Sequence, residues 1–70
     1  NAIAPGYVVT ALTEATRADA EAHRRVVEHI PAARWGDVGD LLGATVFLAS
    51  RAADYVHGHV LTGDGGYLVR

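Results

Sequence analysis

Two short apolar segments lie at opposite ends of this sequence. Asn1-Ala2-Ile3-Ala4 runs straight into Pro5-Gly6, and His59-Val60-Leu61-Thr62 runs into Gly63-Asp64-Gly65-Gly66. Each reads as a buried strand stopped by turn residues. The stretch between them is long enough to be a crossover, so the two strands are expected to pair in parallel, with helix on a sheet face. The first strand is expected to begin upstream of Asn1, and the absence of methionine agrees with a chain that does not open at a translation start.

Inside the crossover, Val8 to Thr16 mixes β-branched residues with Thr10, Thr13 and Thr16 and shows no clear period; it reads as a mobile connection. Asp19 to Ile30 reads as a surface helix, with Ala22, Val26, Val27 and Ile30 on one face and Glu21 spaced to pair with Arg25; Pro31 ends it. Asp37 followed by Asp40 is an acidic variant of the capping box, which starts another helix at Val38. Leu41, Leu42, Val46, Phe47 and Leu48 point around most of that helix, more apolar surface than a one-sided helix needs. Gly39 and Gly43, four apart on it, would let another backbone come close.

Composition narrows what such a unit can be. A chain of 70 residues buries little of its own surface and needs support. Without cysteine that support is neither a disulfide nor a thiolate metal site, which leaves other protein surface. Half the residues are apolar and a fifth charged, as in a soluble globular protein. No apolar run approaches the ~20 residues of a membrane span and no leader pattern opens the chain, so no membrane association and a cytoplasmic location are expected. A net charge of −2 offers no attraction for a phosphate backbone, so nucleic acid is not an expected partner. His57 and His59 invite a metal reading, but two imidazoles with no third ligand are read as surface groups, as are His23 and His29; no metal is expected.

Taken in order, Asn1-Ala2-Ile3-Ala4-Pro5-Gly6 with Thr10, then Ile30-Pro31-Ala32-Ala33-Arg34-Trp35-Gly36, Asp40, Val46-Phe47-Leu48-Ala49-Ser50, Gly58 and Asp64-Gly65-Gly66, the sequence resembles the C-terminal part of the short-chain dehydrogenase/reductase family. Tyr7, Ile30 to Gly36 and the ending Asp64 to Arg70 resemble most its 2-dehydro-3-deoxy-D-gluconate 5-dehydrogenase group. The resemblance implies an α/β fold: residues 1–70 would be the C-terminal segment of one doubly wound, parallel-sheet, Rossmann-like dehydrogenase domain, holding the end of its sixth strand, the substrate-loop helices, the last helix and the last strand. It implies NAD or NADP across the carboxyl ends of the strands, with Pro5, Gly6, the Val8 main chain and the Thr10 hydroxyl contacting cofactor. Tyr7 and Trp35 would border a pocket for a small-molecule substrate, a sugar acid. It also implies a homo-oligomer, a tetramer, joined through the helix Gly39–Ala49 and the strand His59–Thr62.

The bare residues leave alternatives open. Pro5-Gly6 can be a turn alone, Thr10 an N-cap, Trp35 a hydrophobic plug, and Arg34 a partner of Asp37 or Asp40 instead of a substrate carboxylate. Asp64 reads as a turn former. The family's Tyr-x-x-x-Lys pair cannot be formed, because all six basic residues are arginine. The resemblance implies that the intact protein is an NAD(P)-dependent oxidoreductase acting on a secondary alcohol or ketone, and without that pair the segment alone is expected to be inactive. The reading from another class is a non-catalytic module that serves only subunit assembly.

Overall fold

The computed structural model describes all 70 residues. Strand β1 (Ala2–Pro5) lies parallel to strand β2 (Val60–Gly63), in the register Ala2 with Val60 through Pro5 with Gly63. The ladder continues past both ends: the Ala2 N–H donates to the His59 carbonyl (2.9 Å) and the Gly6 N–H to the Gly63 carbonyl (3.1 Å). At the amino ends the Asn1 amide fixes the register, donating to the Val56 carbonyl (2.8 Å) and accepting the His59 N–H (2.9 Å). This explains why β2 lies one residue later than the expected His59 to Thr62. The Asn1 side chain takes the His59 N–H, and the carbonyl of Gly63 is drawn into the ladder.

The segment expected to be mobile is ordered. A 3-10 turn (Ala11–Thr13) leads into helix α1 (Glu14–Ala18). Thr13 organises it: its hydroxyl donates to the Val8 carbonyl (2.8 Å) and accepts the Thr10 N–H (3.1 Å) and the Arg17 Nε–H (3.2 Å). Helix α2 (Ala20–His29) follows, capped by Asp19, whose carboxylate accepts the Glu21 and Ala22 N–H groups, each at 3.1 Å. The expected pairing of Glu21 with Arg25 does not form. Arg24, which lies between Glu21 and Glu28, takes both carboxylates (3.3 and 2.9 Å).

The acidic capping box is formed as read: Asp37 accepts the Gly39 N–H (2.8 Å) and Asp40 accepts the Asp37 N–H (2.8 Å). A 3-10 turn (Val38–Leu41) opens this helix before α3 (Leu42–Ala49). Leu41, Ala44 and Leu48 form its half-buried stripe, while Val38, Leu42 and Val46 lie exposed along another. The broad apolar surface is therefore real, and this segment covers only part of it.

Only Ile30, Trp35 and Ala53 are buried. The radius of gyration, 13.8 Å, exceeds the about 11 Å of a compact domain of this length. Local order is supplied instead by hydrogen bonds, above all by Arg34, which grips Asp40 with both arms of its fork (2.8 and 3.0 Å) and donates to the Trp35 carbonyl (3.0 Å). The same contact raises the pKa of Arg34, chiefly through its hydrogen bond to Asp40. The Arg34 hydrogen bond first, and the Asp37 N–H second, lower the pKa of Asp40 from 3.8 to about 2. A carboxyl depressed on folding contributes stability above its unfolded value and loses it as pH falls through the folded one. The contribution of Asp40 is thus present above pH 3.8 and is lost toward pH 2. Carbon-13 NMR titration should place the Asp40 midpoint near 2, and Arg34→Ala should return it toward 3.8; a midpoint that does not move in the variant would contradict this coupling.

Candidate functional site

Parallel pairing brings the carboxyl ends of both strands to one edge, where each chain must turn. Gly6 packs directly on Asp64: a Cβ at Gly6 would sit 2.6 Å from the Asp64 Cβ and 2.8 Å from its Cα. Asp64 shapes the second turn, its carboxylate accepting the Gly66 N–H (2.9 Å) and the Leu68 N–H (3.1 Å). Gly65 and Gly66 take φ values of +66° and +94°, where a side chain is strained. They also lie against Ile30 and Pro31, which seats the end of α2 on this turn.

Beyond Gly6 the chain meets the loop that follows α2. The Gly36 N–H donates to the Tyr7 carbonyl (2.9 Å), and the Val9 N–H donates to the Gly36 carbonyl (2.8 Å). Val8 sits between these two bonds. Its carbonyl accepts the Thr13 hydroxyl, but its N–H makes no hydrogen bond within the chain. The donor is held in place by the Gly36 bonds on either side and is left without a partner in the chain, at the end of a parallel strand.

Two cavities flank this point. One, of about 280 Å³, is lined by Tyr7, Val8, Gly36, Asp40, Asp64 and Gly65 among others. The other, of about 300 Å³, is lined by Pro5, Gly6, Tyr7, Thr62, Tyr67 and Leu68 among others. Of the residues singled out in the sequence, Pro5, Gly6, Tyr7 and Val8 therefore converge, and Tyr7 borders both spaces. Thr10 borders neither. It precedes the 3-10 turn in the N-cap position, its hydroxyl makes no cap hydrogen bond, and its carbonyl accepts from Arg17 (3.0 Å).

Trp35 also lies outside both cavities. It is buried behind Tyr7, edge to face at 5.4 Å, and its indole N–H donates to His23 Nδ1 (2.9 Å). Two histidines read as surface groups are thus engaged: His23 accepts the Trp35 indole N–H, and His29 lies 4.3 Å from the Tyr67 ring. Neither contact has a local sequence signal, since both join residues far apart in the chain. Arg34 is committed to Asp40. His57 bonds the Asp54 carbonyl (3.1 Å), and His59 precedes β2 instead of lying in it.

The arrangement presents a backbone donor and aromatic walls at the carboxyl ends of parallel strands, which is where open α/β sheets take their ligands. Residues 1–68 match the family model described as enoyl-(acyl carrier protein) reductase, a short-chain dehydrogenase model. The chain belongs to the short-chain dehydrogenase/reductase family. It is similar to the uncharacterized oxidoreductase YgcW of Escherichia coli K12, 63% identical over the whole chain and 27% of that protein. It is 54% identical to the 2-dehydro-3-deoxy-D-gluconate 5-dehydrogenase of Bacillus subtilis 168, over the whole chain and 28% of the relative. The crystal structure of a gluconate 5-dehydrogenase from Burkholderia cenocepacia J2315, in complex with NADP and tartrate, superposes with a TM-score of 0.93 at 44% identity, over 97% of this chain and 27% of that one. The chain thus spans little more than a quarter of the length of these members of the short-chain dehydrogenase/reductase family.

The Gly6 contact is with backbone, which cannot swing away as a flexible side chain would. Gly6→Ala in the protein carrying this segment should force the two strand ends apart and lower the melting temperature by several degrees, the effect of about 1–3 kcal/mol of overpacking. An unchanged melting temperature would show that the Gly6–Asp64 approach is not constraining.

Proposed function

We propose that this segment forms the nicotinamide-side wall and part of the substrate pocket of an NAD(P)-dependent oxidoreductase that interconverts a secondary alcohol and a ketone on a sugar acid. The observation that carries the reading is the unpartnered Val8 N–H, fixed between two hydrogen bonds to Gly36 beside a cavity at the strand ends. An amide donor and a neighbouring carbonyl suit a carboxamide, and main-chain recognition needs no particular side chain. Pro5 and Gly6 turn the backbone into that position, Thr10 supplies a hydroxyl two residues on, and Tyr7 borders the substrate space, with Trp35 supporting it from behind. The cofactor, NAD or NADP, would accept or donate the hydride, and the residues of this chain bind and orient. The NADP and tartrate held by the Burkholderia relative support both the cofactor and the hydroxy-acid class of substrate.

The same reading places residues 1–70 as the C-terminal segment of a single dehydrogenase domain and extends to assembly as a homo-oligomer, a tetramer. The exposed stripe Val38, Leu42 and Val46 calls for a covering surface. Helices related by a two-fold axis could meet there, since a self-complementary patch closes on itself. Gly43 fits that use: a Cβ placed on it would meet nothing within 4 Å inside the chain.

In the whole protein, Val8→Pro removes an N–H that has no partner in the chain, so its cost should fall on cofactor. NADP(H) or NAD(H) affinity should drop by about 1–3 kcal/mol, while Val8→Ala changes it little. Equal dissociation constants for wild type and the proline variant, by fluorescence titration, would refute the assignment. For assembly, Gly43→Arg should lower the mass seen by light scattering without loss of the circular dichroism of the fold; a folded variant with unchanged mass would rule out this helix as the interface.

A further inference from the structure

We infer that His23 is a positioning residue, a proton-sensitive latch that holds α2 on the loop carrying Gly36 and thereby sets the backbone beside Val8. The inference rests on the cofactor reading above only for its last link.

The indole N–H of Trp35 can donate and never accept. Its partner is Nδ1 of His23 at 2.9 Å, so that nitrogen must be unprotonated and the ring neutral, with its proton on Nε2. The ring planes are 15° from parallel with centroids 6.0 Å apart, the edge-to-edge arrangement that an in-plane hydrogen bond requires. Trp35 is one of three buried residues, and Gly36, next in sequence, makes the two backbone bonds that bracket Val8. Protonating His23 turns the acceptor into a donor. Two donors then face each other, and the contact becomes repulsive.

The charged groups around His23 do not offset this. On α2, the Asp19 carbonyl accepts the His23 backbone N–H (2.9 Å), and its carboxylate is occupied by the Glu21 and Ala22 N–H groups. Glu21 and Glu28 are paired with Arg24, and Arg25 adds a further positive charge on the same helix. From α1, Arg17 is held by Thr13 and Thr10; from the loop, Arg34 is held by Asp40; Tyr7 lies behind the indole. At the far end of α2, His29 faces Tyr67. Every ion pair in the chain joins an arginine to a carboxylate, and none includes His23. Within this segment, a cationic His23 gains no carboxylate partner in place of the bond it loses.

The test uses the whole protein carrying this segment, labelled with nitrogen-15 at tryptophan, with the Trp35 indole signal assigned by its loss in Trp35→Phe. As the pH is lowered from roughly 8 to roughly 5, that signal should shift and exchange faster with solvent in wild type. It should stay fixed in His23→Gln, whose amide oxygen accepts the same bond without titrating. NADPH affinity, measured as the ratio of wild type to His23→Gln so that other pH effects cancel, should fall about fivefold over the same interval, the worth of one such hydrogen bond. His23→Leu should bind NADPH more weakly than wild type at pH 8. An indole signal that ignores pH, or follows it equally in His23→Gln, overturns the latch. A constant affinity ratio alongside a responsive indole overturns its coupling to cofactor. Failure of wild type to bind either NADPH or NADH at pH 8 overturns the cofactor reading instead, and the indole signal still decides the latch.

Discussion

The pairing of β1 with β2 governs everything else in this segment. Each strand is four residues long, and residues 6–59 separate them. Two strands that short cannot hold a register by ladder bonds alone, and both ends are clamped. Asn1 bonds across to Val56 and His59 at the amino ends, and Gly6 presses on Asp64 at the carboxyl ends. Parallel pairing then commits the intervening chain to cross over. It also places two unrelated loops, one after Gly6 and one after Gly63, side by side. The candidate site is the product of that adjacency.

A second layer of constraint is added by the loop after α2. The bonds of Gly36 to Tyr7 and Val9 continue the pattern of a parallel ladder just beyond the end of β1. That loop is itself fastened to the start of the α3 region by the Arg34–Asp40 fork, and Asp40 also caps the turn beginning at Val38. One carboxylate therefore orders both the entry to a helix and the loop that frames Val8. An isolated surface ion pair would contribute little; here its value is geometric, since it ties the loop at Arg34 and Trp35 to the turn at Asp37.

What was legible in the sequence follows from how local each signal was. The strand ends, the Asp37–Asp40 cap, the Asp19 start of α2 and the turn role of Asp64 all depend on residues within four positions of one another, and their spacing carries the physics. The parallel order followed from the length of the crossover. The ordering of Val8 to Ala18 was hidden, because it depends on a threonine hydroxyl bonding backbone, which leaves no hydrophobic period to read. The choice of Arg24 over Arg25 turned on one residue of helix phase, within the tolerance of any periodic reading. The bond from Trp35 to His23 spans a turn of chain direction, so nothing in the sequence around either residue announces it. Of the residues that the resemblance singled out, Pro5, Gly6, Tyr7 and Val8 line the cavities at the strand ends, whereas Thr10 and Trp35 line neither.

The contacts within this segment differ in kind. The strand ends are held by backbone bonds and by a glycine contact that backbone atoms close, so they have few alternative arrangements. Helix α2 is held differently: by Ile30 and Pro31 against the Gly65–Gly66 turn at its end, by His23 against Trp35 midway, and by α1 on its other side. Within this segment the strand ends are thus fastened by backbone and helix α2 by side chains, and the two meet at the Gly65–Gly66 turn.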